Sequence, residues 1–158
     1  MTGVTKLALR ALARRVQALD TEMKEIDAVM EPMVAEVAPE LLARFGVGPD
    51  SAVALVVAAG ENPERLKNER SFARMCGVAP LDASSGKQLR HRLNRGGDRQ
   101  ANAALWRIVM SRLAADPRTQ HYLGQRTKTG LTKKEAMRCL KRYVAREVFA
   151  YLPRPHLA

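Results

Sequence analysis

The chain has 158 residues, with 27 Lys and Arg against 16 Asp and Glu and a formal net charge of +11. That length holds one modest domain plus an extension and is enough to bury a real core. Its two cysteines, Cys76 and Cys139, lie far apart without companion ligands, which excludes a zinc motif or a disulfide framework, and no apolar run is long enough to span a membrane.

Leu9, Leu12, Val16, Leu19, Met23, Ile26, Met30 and Met33 advance in steps of three and four. This is a seven-residue repeat, the seam of a coiled coil, with Arg14, Arg15, Asp20, Glu22, Lys24 and Asp27 off the seam as a solvated face. The first nineteen residues are basic and free of acids, but the apolar period continues beyond them, so they are read as helix and not as a targeting peptide. Pro32 is expected to end or kink the helix. The stripe over residues 9–33 must be hidden, either against a second copy or against the rest of the chain. Residues 1–38 form this first unit.

Residues 39–60 form the second unit. Phe45-Gly46-Val47-Gly48-Pro49 is a turn, followed by an apolar helix over 50–59 that Gly60 stops. Gly46 and Gly48 before a helix resemble the turn of helix-hairpin-helix modules, which hold backbone phosphates on main-chain N–H groups. A purely structural turn has the same pattern.

The third unit covers residues 61–152, with a tail at 153–158. Asn62-Pro63-Glu64 predicts a capped helix running toward Cys76, ended by Gly77, with Phe72, Met75 and Cys76 facing the core. Asp98 caps a helix from Arg99 to about Ala114, with a stripe of Ala101, Leu105, Ile108, Val109 and Leu113. Trp106 is placed in the core or on its flank. Asp116-Pro117 starts a shorter helix. Thr132-Lys133-Lys134-Glu135 is a capping box that opens a last helix to about Leu152. Leu140, Val144 and Val148 lie on one side of that helix, and Lys134, Arg138, Lys141 and Arg142 load the other. No alternating strand pattern is present. The expected fold is all-α: a long N-terminal coiled-coil helix, then a compact helical domain with a helix-hairpin-helix-like turn and a basic serine loop.

That loop is the most informative stretch. Ser84 and Ser85 sit on a glycine-containing turn, and Lys87, Arg90, Arg92, Arg95 and Arg99 follow within a few positions. From Ser84 to the end there are 17 basic and 4 acidic residues, while residues 1–83 carry 10 and 12. Such asymmetry points to a polyanion partner for the second half, with nucleic acid the best fit. The arginine fork matches the two non-bridging oxygens of a phosphate. A serine hydroxyl needs its proton removed or the transition-state charge held, and the loop offers positive charge in quantity. Serine attack on phosphorus would exchange one phosphodiester for another, which permits cutting and rejoining without a nucleotide cofactor. The same hydroxyls would also cap a turn. His91 is read as a contact to phosphate or solvent.

Gly77-Val78-Ala79-Pro80, Ser84-Ser85-Gly86-Lys87, Asn94-Arg95-Gly96-Gly97-Asp98 and Asn102-Ala103-Ala104-Leu105 together resemble the C-terminal part of DEDD-type bacterial insertion-sequence transposases of the IS-one-ten and IS-one-sixteen kind, the RNA-guided serine recombinases. The likeness extends through Gly60-Glu61-Asn62-Pro63, Phe72, Asp116-Pro117 and Arg138-Cys139-Leu140-Lys141-Arg142, and so covers essentially the whole chain. It implies a serine that joins covalently to a DNA end, with Ser85 the first choice and Ser84 the alternate. It implies that Lys87, Arg90, Arg92, Arg95 and Arg99, together with Gly46, Gly48, Lys134, Arg138, Lys141 and Arg142, position DNA or a guide RNA. A homo-oligomer or a partner transposase would join through the 9–33 coiled coil, in a cytoplasmic, nucleoid-associated bacterial setting with no membrane partner. The family's N-terminal RuvC-like domain, whose carboxylates hold Mg2+, has no counterpart among these residues. The chain therefore resembles an incomplete transposase that is expected to be inactive without such a domain and to hold no metal or cofactor itself. The alternative is a non-catalytic module for nucleic-acid binding and dimerisation.

Overall fold

The structure, a computed structural model, describes residues 3–60, 66–82, 91–92 and 94–153. Seven helices and one short hairpin follow in order: α1 Gly3–Val37, α2 Pro39–Leu42, α3 Pro49–Ala59, α4 Glu69–Met75, β1 Leu81–Asp82, β2 His91–Arg92, α5 Arg99–Ala115, α6 Pro117–Lys128 and α7 Lys133–Phe149. The fold is all-α in class, with a long N-terminal helix and a compact helical body.

α5 is the centre of the body. Asp98 caps it by accepting from Ala101 N at 2.7 Å. Its Ala101, Ala104, Leu105, Ile108 and Val109 are all buried, a stripe set by the three-and-four spacing. α3 covers one side with Ala52 and Leu55, and α7 covers another with Val144, Ala145 and Val148. Each large side chain taken fully out of water contributes about 1.5–3 kcal/mol. Phe72 of α4 reaches the same core and lies 5.7 Å from Phe149, centroid to centroid. Two ion pairs pin α7 from either side. Arg112 of α5 donates two parallel bonds to Glu147, at 2.7 and 2.8 Å, and Arg142 meets Glu69 of α4 at 2.5 Å.

Several expectations are corrected here. α1 runs through Pro32 to Val37. A proline removes one N–H and crowds one carbonyl, which a long helix with exposed sides can absorb. α4 starts at Glu69, not near Asn62. Its cap is Asn68, whose side chain accepts from Arg70 N and Ser71 N, with Ser71 completing a capping box. The Asn62-Pro63 pair lies outside the described residues. A hairpin interrupts the all-helical expectation: Leu81 pairs with Arg92 and Asp82 with His91. Strands of two residues are too short to display alternation in a sequence. The helix-hairpin-helix-like segment is a four-residue α2, a turn and α3. That turn is folded onto α5: Gly46 has φ +78°, and a Cβ there would stand 3.1 Å from Arg112 Cγ and 3.3 Å from the Ile108 carbonyl oxygen. The serine loop itself, with Ser84, Ser85, Lys87 and Arg90, lies outside the described residues.

α1 keeps its seam in solvent. Leu12, Val16, Met23, Ile26 and Met33 are each more than half exposed. Only the end of the helix touches the body, through Val34 and the following Ala38, both buried. Among the described residues no helix is long and apolar enough to cross a membrane.

Candidate nucleic-acid interface

Four pieces of chain meet beside the hairpin: the C-terminal end of α4, the segment 94–98, and the N-terminal halves of α5 and α7. They are held by short polar contacts. Asp98 N donates to the Met75 carbonyl at 2.6 Å. Asn102 donates from Nδ2 to the Cys76 carbonyl at 2.7 Å and accepts at Oδ1 from Lys141 Nζ at 2.8 Å. Between these anchors Gly97 presses on Gly77. A Cβ on Gly97 would collide with the Gly77 N and Cα and come within 2.7 Å of the Cys76 carbonyl carbon. Only glycine permits so close a backbone approach.

Three cavities open on this junction: a broad one of about 1160 Å3 lined by Arg70, Arg74, Gly97, Asp98 and Arg142, and beside it two smaller ones. The first of these, of about 480 Å3, is lined by Arg95, Arg99, Asn102, Trp106 and Lys141 over a floor of Gly77 and Gly97. The second, of about 250 Å3, lies under the hairpin and is lined by His91, Arg92, Arg138, Cys139, Lys141 and Arg142. Lys141 belongs to both, so the two adjoin. Among the described residues no carboxylate lines either of these two cavities.

The cations differ in how far they are neutralised. Arg142 is paired with Glu69, and the guanidinium holds that carboxyl below its ordinary range. Arg138 lies 3.8 Å from Glu135, one turn earlier on α7. Arg92, Arg95, Arg99 and Lys141 form no ion pair among the described residues. Lys141 is half-buried, and its pKa is lowered by desolvation first and by the nearby Arg138 charge second. Its only hydrogen-bond partner among the described residues is a neutral amide oxygen, so it remains a cation whose lost hydration is only partly replaced. An anion entering the site would supply the rest.

The structure thus brings together Arg92, Arg95, Arg99, Arg138, Lys141 and Arg142. It leaves the other predicted positions apart. Gly46 packs against the 108–112 part of α5, about 15–20 Å along that helix from Arg99, and Gly48 is the exposed cap of α3. Lys134 lies on the exposed first turn of α7, two turns or about 10 Å before Lys141. Ser84, Ser85, Lys87 and Arg90 are outside the described residues. The hairpin nevertheless fixes both ends of their loop. Across it His91 Nδ1 stands 3.2 Å from Asp82 Oδ1, with both side chains exposed. Among the described residues no three His, Cys, Asp or Glu side chains gather as a metal site would require.

Sequence reasoning missed Asn102 as the group orienting Lys141, and it left Trp106 as core or flank. Trp106 is on the flank, 48% exposed. A signal was available. Arg99, Asn102, Ala103 and Trp106 recur at three- and four-residue steps, which puts them on one face of α5, beside the buried stripe and not within it.

The arrangement, then, is a surface rich in cations on an all-helical body, with Glu69, Glu135 and Asp82 at its edges and a glycine-lined floor from the same short motifs that carried the resemblance. Comparison with known proteins agrees with it. A family model described as Transposase IS116/IS110/IS902 family matches residues 38–124, more than half of the chain. A Streptomyces coelicolor protein described as "Insertion element IS110 uncharacterized 43.6 kDa protein" is 26% identical over 154 residues, which cover 96% of this chain and 38% of that protein. The chain spans well under half the length of this relative. On the family match, whose span contains α2 to α5 and the whole 94–98 floor, the chain belongs to the IS116/IS110/IS902 transposase family.

Proposed function

We propose that this chain is the nucleic-acid-engaging, serine-bearing part of a DNA transposase, acting in strand cleavage and rejoining. The observation that carries the reading is the convergence of six basic side chains on two adjoining cavities beside the hairpin that brackets residues 83–90. Four of those cations lack an acidic partner among the described residues. Phosphate groups of DNA or of a guide RNA would provide it. Ser85, or Ser84 in its place, would then meet a phosphorus atom whose equatorial oxygens are held by these donors. In that step the serine Oγ–P bond forms and the P–O bond to one sugar breaks. The departing sugar oxygen takes up a proton, and the serine proton passes to solvent or a nearby base. The product is a phosphoserine ester, and reversal onto a second sugar hydroxyl rejoins the strand. The exposed seam of α1 would pair with another copy or with a partner transposase.

The test is to trap a covalent protein–DNA adduct from the chain mixed with a full-length family relative, its RNA and its DNA. Adduct on this chain, lost in Ser85→Ala or in Ser84→Ala, supports the assignment and identifies the hydroxyl. Adduct that persists in the double variant refutes it. If no adduct forms while oligonucleotide binding remains, the chain is a binding module only. With four uncompensated cations engaged, log K against log salt should have a slope of about −3 on single strands.

A further inference from the structure

We propose that Trp106 and the cations around it form a pocket for one unpaired nucleotide, with the base stacked on the indole and the adjoining phosphate held by Arg95, Arg99 and Lys141. The inference rests on the nucleic-acid reading above and assigns a part of it to described residues. Trp106 is the only tryptophan of the chain, and it stays 48% exposed although the core lies on the next face of its own helix. A half-exposed indole by itself is ordinary; what marks this one is its company. The same cavity holds three cations and, among the described residues, no carboxylate. Its volume of about 480 Å3 lies within the range of small-ligand sites.

The geometry of the cavity is built, not incidental. Arg99, Asn102 and Trp106 share one face of α5, two turns long. Asn102 is itself fixed to the Cys76 carbonyl and in turn fixes the Lys141 ammonium. Arg95 is carried by the segment that Gly97 locks against Gly77. A flat aromatic surface flanked by fixed cations is the combination that binds single-stranded nucleic acid: stacking accepts any base, and the charges hold the backbone. A duplex keeps its bases stacked on one another and offers none to the indole. The preference is therefore for an unpaired segment, whether of RNA or of opened DNA.

Because the indole is unique, its fluorescence reports on this site alone. The full chain is titrated with a single-stranded DNA oligonucleotide, an RNA of the same sequence, the duplex, and an abasic strand with the same phosphates. Binding is followed in parallel by anisotropy of an end label. Quenching by one or both single strands, but not by the abasic strand or the duplex, supports the proposal, and the strand that quenches more identifies the source. Trp106→Ala should weaken single-strand binding by about fivefold to a hundredfold at unchanged helicity, with Trp106→Tyr restoring most of it. The proposal is overturned if the strands bind while the fluorescence is unmoved, or if Trp106→Ala binds as tightly as the parent chain. If neither single strands nor duplex binds by anisotropy, the broader nucleic-acid reading falls as well.

Discussion

Replacing Gly97 with alanine tests how the basic surface is assembled. A Cβ at this position meets backbone on every near side: the Gly77 N and Cα, and the Cys76 carbonyl carbon at 2.7 Å. None of these is the tip of a flexible side chain, so the segment 94–98 must lift away from α4. Overpacking of this kind costs about 1–3 kcal/mol. Lifting also stretches the bond from Asp98 N to the Met75 carbonyl, worth about 1 kcal/mol. The expected loss is about 2–4 kcal/mol, a large part of the roughly 5–15 kcal/mol that holds a domain together. In urea the midpoint should fall by about 1–2 M, followed by far-ultraviolet circular dichroism. Arg95 rides on the displaced segment, so oligonucleotide affinity should fall too, even where the protein is still folded. Gly124→Ala is the control, because nothing lies within 4 Å of its Cβ position. Placed inside α6, that change should stabilise by about 0.5–1 kcal/mol. A Gly97→Ala protein with the parent midpoint would refute the close-packed floor, and equal losses at both positions would refute the clash as their cause.

Two further outcomes follow from the ion pairs and from α1. The carboxyls of Glu69 and Glu147 are both held below the ordinary glutamate range, chiefly by hydrogen bonds from Arg142 and Arg112 respectively. A depressed folded pKa means that the stabilisation is present above about 4.5 and is lost as the pH falls through the folded values. Melting temperature measured from about pH 6 to about pH 3 should therefore drop in the acid limb. The Glu69→Gln, Glu147→Gln double variant should start lower near neutrality and fall less steeply. An acid limb as steep as the parent's would refute the assignment. Leu12→Lys combined with Met23→Lys, both on the exposed seam of α1, should convert an associating chain to a monomer in sedimentation equilibrium and lower its helicity. A parent chain that is already monomeric with the same helicity would refute pairing through this stripe.

Much of the body was legible because its signals are local. Asp98, Asp116 and Thr132 each cap the helix that follows, and the Thr132–Glu135 box closes reciprocally. The apolar stripe of α5 is buried as its spacing required, and Cys76 is a core residue whose thiol burial pushes up to about 12. The start of α4 was misplaced because the Asn62-Pro63 signal drew attention from Asn68, whose side chain accepts from two backbone N–H groups at 3.0 Å each. The hairpin was illegible because each strand is two residues long, too short for an alternation, and its register pairs Leu81 with Arg92 and Asp82 with His91. At the interface, Arg92, Arg95, Arg99, Arg138, Lys141 and Arg142 stood out in the sequence by charge, and the fold places them around two adjoining cavities. Charge alone could not tell that Arg142 is spent on Glu69, or that Lys141 leans on Asn102, because both depend on which helices pack together. The packing of Gly46 on α5 was equally out of reach, because the turn motif carries no trace of which helix it meets.

The projecting part of α1 has a mechanical consequence. Residues 3–26 are exposed and extend about 35 Å at 1.5 Å per residue, while the helix is anchored to the body at its far end. It is a strut. Antiparallel union of two such struts over that length would set the two bodies apart by roughly one turn of duplex, about ten base pairs; parallel union would bring them side by side. The polarity of such a junction would thus act as a ruler for the distance between the two bodies.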